Sequence, residues 1–75
     1  MKKEFLEFIA GIFGVAADTL SMETAIGSIP QWDSLMHLRL VGEIFDEYDV
    51  DIPIDEIADI KTLNDFYDYV AGGKE

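Results

Sequence analysis

Apolar residues return every three or four positions at the start of this chain. Phe5, Phe8, Ile9, Ile12 and Phe13 fall on one side of a helical period, with Lys3, Glu4, Glu7 and Gly11 between them. The spacing predicts an amphipathic helix over residues 2–16. Gly11 and Gly14 weaken that helix or let another element approach it closely. From Asp18 to Gln31 the period breaks, and Thr19, Ser21, Gly27, Ser28 and Pro30 mark a long loop. A bare loop of this length is unusual in a compact domain, so Leu20, Met22, Ile26 and Ile29 are expected to tuck onto the core. A second series, Leu35, Leu38, Val41, Phe45 and Tyr48, predicts a helix over residues 34–48, its stripe widened by Leu40 and Ile44. Val50 and Ile52 close this segment, Pro53 opens the next turn, and residues 54–58 read as a short helix. Thr62 is placed to cap a last helix, with Asp65 in its first turn. Leu63, Phe66, Tyr67 and Val70 repeat at helical spacing, and Gly72 and Gly73 stop it. No strand alternation, repeat or low-complexity tract is visible. The expected class is all-α, a small four-helix bundle of three main helices and a short third one, in a single domain over residues 1–75.

Composition narrows the function. The 75 residues allow only a limited core. About half of them are apolar, enough for the chain to fold. With no cysteine, disulfides, thiolate metal sites and a cysteine nucleophile are excluded, which fits a reducing compartment. Sixteen acids against five bases set the formal net charge at −11. That balance argues against nucleic acid or an anionic membrane surface as partner, and favours positively charged protein surfaces. Met1-Lys2-Lys3-Glu4 has the lysines of an export signal but no uninterrupted apolar stretch behind it, so a cytoplasmic location is expected.

Candidate chemistry concentrates at Asp33-Ser34-Leu35, between the loop that ends Pro30-Gln31-Trp32 and the second helix. Asp33 suits the N-cap, where its carboxylate can accept from first-turn amides. Ser34 then occupies the first helical position with its hydroxyl outside. A phosphate ester on that oxygen would meet the positive end of the helix and its unpaired amides. Such a serine suits covalent modification better than attack on a substrate. His37 lies on the same helical side, yet no strand-to-helix elbow surrounds Ser34, so a surface histidine is expected rather than a catalytic base. Eight acids and no base occupy residues 43–59. A calcium loop starting at Asp49 would need a ligand at Pro53, glycine at Ile54 and glutamate at Ile60, so calcium chemistry fails there and no metal site is expected.

These residues together resemble the acyl carrier protein family. The resemblance covers most of the chain and is strongest from Trp32 to Val70. The family's Asp-Ser-Leu opening of its second helix is here Asp33-Ser34-Leu35. Its acidic second helix, ending in an aromatic turn and then Ile-Pro, is matched by Glu43-Ile44-Phe45-Asp46-Glu47-Tyr48 and by Ile52-Pro53. Its last helix, opening on Thr and an aliphatic residue with a late Tyr, is matched by Thr62-Leu63 and Tyr69. Trp32, Gln31, Met36, Arg39 and Phe45 depart from the residues common in fatty-acid carriers. Trp32 could join Met36 in an exposed apolar patch for a dedicated partner, or fold back onto the loop.

The resemblance implies a carrier, not an enzyme. Ser34 would receive 4′-phosphopantetheine from coenzyme A through a phosphopantetheinyl transferase, with Asp33 and Leu35 flanking the attachment and Asp33 helping to place the modifying enzyme. The arm would tether an acyl group as a thioester for delivery to acyl-loading and acyl-transfer enzymes. Met36, His37, Glu43, Asp46, Glu47, Asp55 and Glu56 would face those partners, and the carrier would act as a monomer. An aminoacyl, peptidyl or D-alanyl carrier with the same modification is a second reading. An acidic helical interaction module without a prosthetic group is a third.

Overall fold

The computed structural model describes residues 2–72. Met1 of the N-terminal segment and Gly73 of the expected helix stop lie outside them. The described chain forms α1 (Lys2–Phe13), a 3-10 turn (Ala17–Thr19), α2 (Ser34–Tyr48), α3 (Ile54–Ile57) and α4 (Leu63–Val70). None of these helices is long and apolar enough to cross a membrane.

α1 buries Phe5, Ile9, Ala10 and Phe13. It stops three residues earlier than the apolar period predicts. Gly14 takes a left-handed φ of 79° and donates its amide to the Ala10 carbonyl at 2.8 Å, which turns the chain out of the helix.

The long loop is held by backbone bonds, as well as by its apolar side chains. Ile26 N–H donates to the Lys61 carbonyl at 2.8 Å, Leu63 N–H to Thr24 at 3.0 Å and Asn64 N–H to Met22 at 2.8 Å. An isolated antiparallel bridge pairs Ala25 with Thr62. Leu20 is buried, and Met22, Ile26 and Ile29 pack against the core as expected. The loop is thereby laid along the start of α4.

α2 has the predicted bounds, and Leu40, Val41, Ile44 and Tyr48 of its expected stripe face the core, but the rest of that stripe does not. His37, Leu40 and Ile44 are buried, with Val41 and Tyr48 packed beside them. Leu35, Leu38 and Phe45 are exposed. Both series have helical spacing, so apolarity alone does not choose between them. The choice falls on the stripe with the histidine because both ring nitrogens find partners inside, which removes the penalty for burying them.

α2 ends at Asp49, which adopts a left-handed φ of 58° and returns its amide to Phe45 at 2.9 Å. α3 is a single turn whose C-cap is Ala58. α4 starts on the expected capping box: Asp65 N–H donates to the Thr62 hydroxyl, and the Asp65 carboxylate accepts from the Thr62 amide. That carboxylate also accepts from the Lys61 amide at 2.8 Å. Leu63 and Phe66 are fully buried.

Aromatic rings fill both ends of the core. Phe5 packs edge-on against Tyr67 at 5.3 Å, and Phe8 against Tyr48 at 5.5 Å. At the other end Trp32 lies within 6.2 Å of Phe13, His37 and Phe66. This second cluster lies directly behind the start of α2.

Candidate functional site

Ser34 is exposed and is the first residue of α2. The backbone reaches it through Asp33, which is extended at φ −108° and ψ −171°. The Asp33 carboxylate accepts from the Met36 amide at 2.9 Å. The Asp33 carbonyl accepts the first intrahelical bond, from His37 N–H at 2.9 Å. Helix geometry then leaves the Ser34 and Leu35 amides with no acceptor further up the helix. An anionic group on the Ser34 oxygen would sit beside these donors and the positive helix end. Ser34 lies on the surface, which leaves room for a long substituent. The residues present therefore fit a phosphodiester-linked arm.

The turn is anchored from below. Trp32 is 1% exposed, although it directly precedes the exposed Asp33-Ser34 pair. Its amide donates to the Ile29 carbonyl at 3.2 Å, and its carbonyl accepts from Gly27 at 3.0 Å. Of the two placements open to Trp32 from the sequence, the structure takes the inward one. Met36 is half-buried and packs against the core that contains Trp32.

His37 corrects an expectation. It is 7% exposed, so it is not a surface residue and offers no face to a partner. Trp32 Nε1–H donates to His37 Nδ1 at 3.0 Å, and His37 Nε2 lies 3.0 Å from the Ile57 carbonyl oxygen. An indole nitrogen can only donate, so Nδ1 accepts. The ring proton then sits on Nε2 and is donated to Ile57. The imidazole also packs on Phe66 at 5.3 Å. Sequence spacing could not reveal this role, because one partner comes from α3, twenty residues on.

Beside Ser34 the exposed surface combines the polar Gln31 and Asp33 with an apolar side of α2. Leu35 is 79% exposed, and Leu38 and Phe45 continue its side of α2. The acidic candidates divide into two groups. Asp46, Glu47 and Asp55 are exposed. Glu43 pairs with Arg39 at 3.4 Å. Glu56 accepts from the Tyr69 hydroxyl, and that bond is the chief reason the phenol is pushed up to about 12. A hollow of about 350 Å³ lies between α3 and α4, lined by Glu56, Asp59, Ile60, Asp65, Asp68 and Tyr69, and Ser34 is not among its walls.

Comparison with known proteins bears on this geometry. A family model described as a phosphopantetheine attachment site matches residues 3–70. The acyl carrier protein of Syntrophobacter fumaroxidans (strain DSM 10017 / MPOB) is 30% identical over 74 residues, covering 99% of this chain and 91% of that protein.

Proposed function

The chain belongs to the phosphopantetheine-attachment family of carrier proteins, and on that premise we propose that Ser34 bears the arm and that the cargo is an acyl group. Carriage rather than catalysis is the work of this family. The observation that carries the assignment is an exposed serine, Ser34, at the capped start of α2, with Asp33 bonded to the Met36 amide. Ser34 would take the phosphopantetheinyl group from coenzyme A, losing its proton as adenosine 3′,5′-bisphosphate leaves. When bound, the arm supplies a thiol on a long flexible tether, which holds a thioester at high effective concentration near a docked enzyme. The protein itself needs no cysteine.

Asp33 holds the turn, and Leu35 offers an apolar contact beside the attachment point. Asp46, Glu47 and Asp55 form the exposed acidic part of the partner surface, completed by the half-buried Glu43, Glu56 and Met36. The apolar Leu35, Leu38 and Phe45 side adds to it. Partners are then a phosphopantetheinyl transferase and acyl-loading and acyl-transfer enzymes with basic, partly apolar faces, met by a monomeric carrier in the cytoplasm. The name of the Syntrophobacter relative supports acyl over aminoacyl cargo.

The test is intact mass after incubation with coenzyme A and a broad-specificity transferase. Wild type gains one phosphopantetheine, and Ser34→Ala gains none. Absence of the adduct on wild type, or its survival in Ser34→Ala, overturns the assignment. Loading of the modified protein by acyl-transfer rather than adenylating, amino-acid-specific enzymes tests the cargo.

A further inference from the structure

The carrier function makes no use of the buried bridge that joins Trp32, His37 and Ile57. Trp32 donates into His37 Nδ1 at 3.0 Å, and His37 Nε2 passes a hydrogen bond to the Ile57 carbonyl at 3.0 Å. The chain of donors has one direction, set by the indole, so only the neutral Nε2–H form of the ring completes it. A proton added at Nδ1 would leave two N–H groups pointing at each other. One of them must move.

The elements at the two ends make this conflict consequential. Trp32 precedes Asp33, which caps α2, and Ser34, which opens it. Ile57 ends the single turn of α3, and its carbonyl also accepts from Ile60 N–H at 3.2 Å. α3 is too short to hold itself by helical bonds alone. We propose that this bridge is an acid-sensitive latch: a proton on His37 Nδ1 releases Trp32 and loosens the turn that carries Ser34. The latch goes beyond the carrier reading and does not depend on it.

The groups facing the imidazole from neighbouring elements do not stand in for the lost bond. The loop presents the Trp32 indole, α4 the Phe66 ring and α3 the Ile57 carbonyl. The carboxylates nearest His37 along the chain, Asp33 and Glu43, are engaged with the Met36 amide and with Arg39, and Glu56, next to Ile57, is engaged with the Tyr69 hydroxyl. Among the described residues no carboxylate bonds to the ring to receive the new proton's charge. His37 is here a positioning residue.

One tryptophan and one histidine make the test direct, since each gives a single signal. On the ¹⁵N-labelled full chain at neutral pH, a long-range proton–nitrogen spectrum is expected to show Nε2 protonated and Nδ1 bare. A dominant Nδ1–H form overturns the proposal. On acidification, the imidazole nitrogen shifts, the Trp32 indole N–H shift and the loss of exchange protection at Ile60 are expected to follow one curve. Separate curves overturn it. In His37→Gln, which keeps polar groups but cannot titrate, the indole transition is expected to vanish. Its persistence at the same pH assigns it to a carboxylate and overturns the latch. Should that variant fail to fold, the coincidence or separation of the three wild-type curves decides alone.

Discussion

At the scale of single residues, the polar side chains that matter are those whose partners restrict their protonation. Tyr69 donates to Glu56, and the bond exists only while the phenol keeps its proton. Its titration is pushed from 10.0 to about 12, first by that hydrogen bond, then by desolvation and by the charges of Glu56, Asp59 and Asp55. The sign follows from the neutral form being the bonded one. Stabilisation is complete below the unfolded value near 10.0 and disappears as pH rises from there through about 12. Tyr69→Phe is therefore expected to cost less than about 1 kcal/mol at neutral pH, because water still competes for a pair that is only half-buried. It should also flatten the alkaline stability profile in that window. Urea melts at several alkaline pH values, alongside tyrosinate absorbance, check both. An unaltered alkaline profile in the variant would show that the phenol is not coupled to folding. Ser34 was legible at this scale because its environment is local: an Asp before it and a helix after it. His37 was not, because what turns it inward is an indole donor behind it and a carbonyl on another element.

The elements are defined mainly by their ends. α4 begins on a reciprocal box in which Thr62 and Asp65 satisfy each other's amides, and Asp65 holds Lys61 as well. Thr62→Ala should cost about 1 kcal/mol, read as a lower denaturant midpoint with an unchanged slope. α2 ends less well. Asp49 sits at a left-handed φ of 58° and places a carboxylate at the negative end of the helix. Asp49→Gly should raise stability by about 0.5–1 kcal/mol, since it removes both penalties. A loss of stability would mean that the Asp49 side chain has a compensating role. These ends also explain how the helices could be read in advance. The bounds of α2 were visible because a cap residue and an aromatic end bracket the period. α1 was overextended because Val15 and Ala16 continue the apolar composition past a glycine that has already turned the backbone. The edge of the buried side of α2 differs from expectation for a related reason. Leu35, Leu38 and Phe45 are as apolar as the residues that are actually inside, and hydropathy ranks them above a histidine. Burial there is decided by hydrogen bonds from distant positions, which no window along α2 contains.

Across the whole molecule, charge acts on folding and on partners with opposite signs. A net −11 on a body of 30 × 25 × 20 Å means that carboxylates repel one another across the surface. Arg39–Glu43 is the only ion pair among the described residues, so little of that repulsion is relieved locally. The ring of Tyr48 registers the same field: burial is the first cause of its raised titration, and Glu47 and Glu4 add to it. At about 0.15 M salt the screening length is near 8 Å, shorter than any dimension of the protein, so long-range repulsion weakens while neighbour contacts persist. Raising salt from a few millimolar to that level is expected to increase the thermal midpoint. The same screening removes the attraction between the acidic stretch over residues 43–59 and a basic partner face. Modification of Ser34 by a transferase should then slow by about an order of magnitude, through the association rate rather than the chemical step. Measuring both on one salt series separates the roles of the carboxylates. If the charges served solubility alone, stability would rise and the modification rate at limiting carrier would stay flat. If Asp46, Glu47 and Asp55 guide docking, replacing them with the neutral amides should reproduce the slow rate at low salt and remove most of its salt dependence, while the thermal midpoint rises as it does with salt.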